Sequence, residues 1–244
     1  MATIYTRLKS SFVRVFTLVS LTILFSSAFA ASETPNWTGF YGGGHVGGGW
    51  STVDWYEDST SGGSGLPPGT LDGTVKASGV LGGLQAGYDY QLQQFVLGLQ
   101  ANISSANING NTAGCPSAVS PTGQACGTKI NWLGTGIGHI GFAYNQALFY
   151  TLGGFAWSNE ELTNYCPNCT NPNGNYTFSG TRLGWIIGAG LEYKLQKNLS
   201  ALIEYNYIDL GKKNLTFVKV PSSYYTEDIS ERLHSVKLGL NYRF

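Results

Sequence analysis

The chain has 244 residues, 14 basic against 14 acidic, with 11% charged residues, 14% aromatic residues and 34 glycines. A soluble domain carries about twice that charged fraction, and a disordered chain lacks so many aromatics. Arg7, Lys9 and Arg14 have no acid among the first thirty residues, which leaves 11 bases against 14 acids beyond them, the opposite balance to a nucleic-acid binder.

Residues 1–14 are basic and polar, Val15 to Phe25 is an apolar run broken only by Thr17, Ser20 and Thr22, and Ala28-Phe29-Ala30 places small residues two apart. This is the layout of a secretory signal peptide. The run is too short for a transmembrane helix, since about eleven residues at about 1.5 Å each do not cross about 30 Å of hydrocarbon. Cleavage is expected near Ala30, leaving 31–244 as a single domain.

The rest of the chain reads as strands. Trp37 to Trp50 is glycine-rich, with Phe40, Val46 and Trp50 on one parity. Val80, Leu84, Ala86, Tyr88 and Tyr90 form an apolar face opposite Gln85 and Asp89, and Phe95, Leu97, Leu99, Ala101 and Ile103 one opposite Gln100 and Asn102. Ile130 to Tyr144 sets Trp132, Ile140 and Phe142 against Thr135 and His139, while Leu148 to Trp157 is aromatic on both parities and leaves its faces unassigned. Leu183 to Leu195 alternates with Arg182, Gly184, Gly188, Gly190, Glu192 and Lys194, Ile186 being apolar on the polar side. Leu199, Ala201, Ile203, Tyr205 and Tyr207 oppose Ser200, Glu204 and Asn206, and Val236, Leu238, Leu240, Tyr242 and Phe244 oppose Ser235, Lys237, Gly239, Asn241 and Arg243. Period-two alternation throughout, with no sustained helical period, makes the domain all-β.

Gln91–Gln94, Asn145–Ala147 and Gln196–Asn198 read as tight links. Ser51–Thr74, Ala106–Thr128, Asn159–Ser179 and Lys212–Ser230 read as long polar loops. Short links on one rim and long loops on the other fit an eight-stranded antiparallel up-and-down barrel. A soluble barrel has its apolar residues inside and a membrane barrel has them outside; alternation is common to both. The polar face here mixes charges with glycines, aromatics gather near strand ends, and the strands are long enough for a tilted crossing. A transmembrane barrel is therefore expected, closed because lipid tolerates no unpaired backbone.

The opening Trp37-Thr38-Gly39-Phe40-Tyr41-Gly42-Gly43-Gly44-His45-Val46-Gly47 resembles the first strand of the small immunogenic outer-membrane porin family of Gram-negative bacteria. Gly184 to Tyr193 resembles that family's sixth strand, Glu204 to Gly211 its seventh, and Val236 to Phe244 its closing strand. The resemblance implies an OmpA-type eight-stranded barrel in the outer membrane with a structural and surface-antigen role, contact with host or environment, and limited solute passage or a narrow channel as a further reading. It also implies that the closing strand, with Tyr242 and Phe244, is read by the outer-membrane insertion machinery. The family's third strand often carries acids where Gln100 and Asn102 stand, and its fourth arginines at the positions of Ile137 and His139. Both signs are missing together here, so a neutral hydrogen-bonded patch is expected in place of an ion-pair cluster. The remaining lumen charges, Asp89, Glu192 and Glu204 against Arg182, Lys194, Lys237 and Arg243, are expected to pair across strands.

Four cysteines follow the leader. In an oxidising compartment they read as disulfides, with local pairs Cys115–Cys126 and Cys166–Cys169 preferred among three connectivities. No resident metal or cofactor is expected. Some members of the resembled family bind hemin, and imidazole is a common haem ligand, so His45 and His139 in the lumen and His234 near the loop rim are the candidate ligands, with Trp55, Tyr56, Tyr165, Tyr224 and Tyr225 as stacking partners. His234 and Ser235 are adjacent, so on a strand they point to opposite faces and make no catalytic pair; the chain is not expected to be an enzyme. An eight-stranded interior is just wide enough for side chains, although Gly87, Gly98, Gly188, Gly190 and Gly239 on the lumen face suggest unusual room.

Overall fold

Alternation of this kind buries one face of every strand only if the sheet closes, and closure is what the structure shows. In a computed structural model that describes residues 35–60, 67–113, 125–165, 176–218 and 224–244, eight antiparallel strands form one closed barrel, each paired with its neighbours in sequence and the last with the first. They are β1 (Gly39–Thr60), β2 (Leu71–Leu92), β3 (Phe95–Ala113), β4 (Ala125–Tyr144), β5 (Ala147–Tyr165), β6 (Tyr176–Lys194), β7 (Leu199–Val218) and β8 (Tyr224–Arg243). The leader reading for 1–30 and Cys115, Cys166 and Cys169 lie outside the described residues. Cys126 is disulfide-bonded, its partner also lying outside them.

The register fixes the barrel's geometry. Following paired residues from Phe40 leads through Tyr88, Leu99, Gly138, Gly153, Ile187, Tyr207 and His234 back to β1 at Trp50, ten residues further on. A stagger of ten over eight strands spaced about 4.8 Å, at about 3.3 Å per residue, tilts the strands by about 40°. Each residue then climbs about 2.5 Å along the axis, so Phe40 to Trp50 spans about 25 Å, the height of the apolar band of an outer-membrane barrel. The outer face of that band is greasy throughout: Val46, Leu84, Leu99, Ile103, Leu183 and Leu238 are all exposed. Aromatics edge it at both levels, with Phe40, Tyr88, Phe95, Phe142, Tyr242 and Phe244 at the short-turn end and Trp50, Phe155, Trp157, Trp185 and Tyr207 at the other.

The strands do not stop at the upper belt. They run 19–22 residues each, so most of Ser51–Thr74, Ala106–Thr128, Asn159–Ser179 and Lys212–Ser230 is strand, which corrects the reading of those segments as loops. The reason is a change of solvent. Above Trp50 the outward positions turn polar (Thr52, Lys76, Asn109, Lys129, Arg232) and the inward ones turn apolar, so Val53, Trp55, Val75, Leu162, Leu215 and Ile229 make a second core. The barrel thus continues for about ten residues, or about 25 Å, beyond the membrane as a water-soluble one. Its register shifts, at Trp55/Tyr56, Glu57/Ser59, Ser105/Ile108, Ile130/Trp132 and Asp209/Lys212, all lie at or above the upper belt. Lipid demands an unbroken hydrogen-bond ladder and water does not. At the β7 bulge Gly211 takes φ +69° and its amide donates to Asp209 Oδ1 at 2.8 Å, a left-handed conformation that a side chain would strain.

Candidate functional site in the barrel lumen

Inward side chains stack in layers along the axis, and the layers differ in chemistry. At the short-turn end Trp37 is fully buried across the opening, its amide donating to Gln91 Oε1 at 2.7 Å. The Arg243 guanidinium lies 5.5 Å from the Trp37 ring and 5.1 Å from the Tyr41 ring, and also donates to the Trp37 carbonyl. Lys194 sits at this rim with its ammonium 4.9 Å from Trp37 and bonded to the Asn36 carbonyl.

Above Trp37 comes a polar layer. Asp89, 1% exposed, takes Arg243 Nη2 at 2.8 Å on one oxygen and His139 Nε2 at 2.9 Å on the other. Lys237 Nζ reaches Glu204 at 2.6 Å, and Glu204 also accepts from Asn206 at 2.8 Å and the Tyr150 hydroxyl at 3.0 Å. Glu192 forms no ion pair among the described residues; it accepts from Ser200 and from Asn241. The positions where the resembled family carries charge hold a neutral chain: Tyr41 donates to Gln100 at 2.6 Å, Gln100 to Asn102 at 2.8 Å and Asn102 to Thr135 at 2.7 Å. Ile137 points inward too, but into apolar neighbours.

The glycines expected to leave room do not leave it empty. Gly190 is the register partner of Tyr150 and Gly87 of Tyr41, and a methyl on either would overlap the tyrosine ring lying across it. Added methyls at Gly98 and Gly188 would meet His139 and Asn206. The glycines are seats for neighbouring side chains. Gly190→Ala is expected to push Tyr150 off Glu204 and cost about 1–3 kcal/mol of overpacking strain, read as a lower urea midpoint for loss of the fast-migrating folded band in unboiled electrophoresis.

Above buried Ser104, Thr135, Asn206 and Ser235 the lumen carries an apolar layer. Leu81, Ala106, Leu133, Ala156, Ile186, Ile208, Leu210 and Leu233 meet across the barrel as one buried cluster. Just above it lie Arg182, Glu160 and Glu231, buried together. Arg182 Nε contacts Glu160, its Nη2 donates to the Ile229 carbonyl at 2.9 Å, and Glu231 accepts from Ser51 at 2.6 Å. Arg182 therefore belongs to a different layer from the other expected lumen charges. Its partner Glu160 and the neighbouring Glu231 are not marked by the sequence reading, Glu160 because it stands in a segment read as loop. A continued alternation (Ser158, Glu160, Leu162 against Asn159, Glu161, Thr163) is the signal that marks it.

The three histidines are placed as follows. His45 is 4% exposed, with Nδ1 2.9 Å from Gln85 Oε1 and Nε2 2.8 Å from Ser104 Oγ, so both ring nitrogens are engaged. His139 is held by Asp89 and faces the Tyr150 ring at 5.4 Å. His234 is not at the loop rim. It points outward in the upper aromatic belt, stacked on Trp50 at 5.6 Å and 5°, with Nδ1 2.7 Å from the Tyr205 hydroxyl, while Ser235 points inward and is buried. Trp55, expected as a rim aromatic, is buried in the second core; Tyr56 faces outward with Lys212 5.5 Å from its ring. The side chains of Tyr165, Tyr224 and Tyr225 lie outside the described set. On the lipid-facing surface a groove of about 630 Å³ runs over Gly138 and Gly153 between Leu99 and Ile140.

Closed topology, inverted polarity and paired aromatic belts together specify a membrane barrel, and the sequence profile of the outer membrane protein beta-barrel domain matches residues 16–244. The chain belongs to that family. This outer-membrane barrel is similar to the 31 kDa outer-membrane immunogenic protein of Brucella melitensis biotype 1, with 33% identity over 225 residues covering 88% of this chain and 87% of that one. It is also similar to the 25 kDa outer-membrane immunogenic protein of Brucella abortus biovar 1, 26% identical over 211 residues, or 86% and 80% of the two chains. Among solved structures, the outer membrane protease OmpT from Escherichia coli superposes with a TM-score of 0.52 at 11% identity, over 88% of this chain and 99% of that one, a likeness of fold alone.

Proposed function

We propose that this outer-membrane barrel is a closed, non-conducting scaffold that stabilises the envelope and lifts its long-loop segments clear of the membrane for contact with the host or environment. The observation that carries the reading is the filled lumen. Trp37 lies across one end, and the buried leucine and isoleucine cluster fills the cross-section beneath the upper belt. A permeant ion would have to shed its hydration against that cluster, where the few buried hydroxyls bordering it (Ser104, Thr135, Ser235) replace little of the lost water, at a cost of several kcal/mol. The extramembrane section supports the presenting role, since it carries the strand ends that the loop segments join beyond the layer of lipid headgroups. The immunogenic relatives fit the same role by name. Tyr242 and Phe244, ring centroids 5.4 Å apart on the outer face, are available there to the outer-membrane insertion machinery.

The test is electrical and topological. Processed protein in planar bilayers is expected to give no discrete conductance steps, while tags placed at positions 62 and 170 are labelled on intact cells. Regular steps, or tags that label only after lysis, would overturn the reading. Hemin is expected to give no Soret shift dependent on His45, both of whose ring nitrogens are engaged, or on His139, which is buried in the lumen with Nε2 2.9 Å from Asp89; a shift abolished by His45→Ala or His139→Ala would restore the receptor reading.

A further inference from the structure

Two carboxylates and one guanidinium lie together where the barrel leaves the membrane. Glu160 stands three residues beyond Trp157 on β5, about 7 to 8 Å above the upper belt at about 2.5 Å of climb per residue. Glu160 and Glu231 are both 0% exposed and Arg182 is 3% exposed. They are roofed by Val53, Leu162 and Ile229 of the second core and floored by Ala156, Leu210 and Leu233 of the first.

The electrostatics of this layer do not close with the groups present. Arg182 supplies one positive charge and spends part of its hydrogen-bonding capacity on backbone, donating to the Ile229 and Gly211 carbonyls. Glu160 and Glu231 would supply two negative charges if both were ionised. Glu231 has one oxygen on Ser51, while its other oxygen is buried with no hydrogen-bond partner. Ser158, the register partner of Arg182 and two residues from Glu160, is fully buried with its hydroxyl likewise unpartnered. An uncompensated buried charge costs several kcal/mol, so the layer needs one more positive charge. An ionised carboxylate only accepts hydrogen bonds; a protonated one donates. A single proton between the two acids removes the surplus charge and gives the spare acceptor a donor.

We propose that Glu160, Glu231 and Arg182 form a buried proton-binding site that, while occupied, holds the extramembrane section of the barrel closed. The three residues come from β5, β8 and β6, so the proton ties strands that are not all neighbours. Burial, followed by the neighbouring Glu231 carboxyl, raises the Glu160 carboxyl well above its ordinary value against the opposing pull of Arg182. The other charges facing this interior are Glu227, two inward positions beyond Glu231 on β8, Glu57 on β1, and Lys213 on β7, whose ammonium lies 4.3 Å from the Phe178 ring. At this height β2, β3 and β4 present Ala77, Ile108 and Ile130, and Ser51 of β1 is uncharged. A carboxyl whose folded pKa lies above its unfolded value of about 4.3 stabilises the closed form fully below that value, and the contribution is lost as pH rises through the raised one.

The processed full chain in lipid vesicles gives two readouts. Infrared absorption at neutral pH is expected to show a protonated-carboxyl C=O band that shifts in D2O, and Glu160→Gln and Glu231→Gln each remove the same band area. No such loss in either variant would overturn the proposal; a wild-type layer neutralised by sodium would give this result, together with sodium-dependent stability. Protease cleavage of the extramembrane strands is expected to accelerate about tenfold for each unit of pH crossed between the ordinary and raised values. Glu160→Gln, which carries its own hydrogens, flattens that dependence. The same pH profile in wild type and Glu160→Gln would sink the proposal.

Discussion

Leu84→Arg is expected to cost about 2–4 kcal/mol of barrel stability in lipid, while Asn109→Arg costs about 0–1 kcal/mol. Both side chains point outward on neighbouring strands. Leu84 is 67% exposed and is paired with Gly44, four residues above Phe40 and near the middle of the apolar band. Asn109 is paired with Ser78, itself the partner of Trp50, and so stands at or above the upper belt in water. A soluble barrel would rank the two about equally, since both are surface positions and most surface substitutions fall within about 0.5 kcal/mol. The measurement is the urea midpoint of the heat-modifiable band for protein folded into vesicles. Equal midpoints, or a Leu84→Arg protein that stays folded and monomeric in plain buffer, would contradict the placement of the bilayer between the two aromatic belts.

That placement also explains what the sequence made legible. Within the membrane the alternation is clean because lipid lies outside and the hydrogen-bonded network inside. All eight strands could be located from it, with their short turns. The reading failed where the solvent changes. On β8 the apolar residues are even-numbered from Val236 to Tyr242 and odd-numbered at Leu233 and Ile229. On β1 they pass from Phe40, Val46 and Trp50 to Val53 and Trp55. A phase slip in the pattern looks like a strand ending, but the backbone runs on and only the water has changed sides. β5 resisted assignment for a related reason: Phe149, Phe155 and Trp157 face lipid while Leu148, Leu152 and Ala156 face an apolar lumen. Ile186, apolar on a polar parity, was the visible trace of that cluster. The partners of buried charges were harder to read, because Asp89 on β2 and Arg243 on β8 meet across β1 and only the closed register brings them together.

Asp89→Ala is expected to be the most damaging of the lumen substitutions, at about 3–5 kcal/mol. The mutation strands Arg243 in a site where it is 6% exposed and removes the carboxylate oxygen 2.9 Å from His139 Nε2. Arg243 keeps the Trp37 carbonyl and the two ring faces, but none of these carries a full negative charge. Arg243→Met strands Asp89 instead and is expected to cost a similar amount. Removing both partners together takes away the buried charge as well as its neutraliser, so Asp89→Ala with Arg243→Met should be well short of the sum of the single changes. The half-exposed pair of Arg232 and Asp54 gives the contrast: the Arg232 side chain is 45% exposed, and Asp54, 9% exposed, keeps the Thr74 hydroxyl as a donor, so Arg232→Met should cost less, about 1 kcal/mol. The check is a double-mutant cycle on urea midpoints in vesicles. Strict additivity at Asp89 and Arg243 would mean that the two do not neutralise one another, and that the end of the barrel nearest Trp37 is held by packing alone.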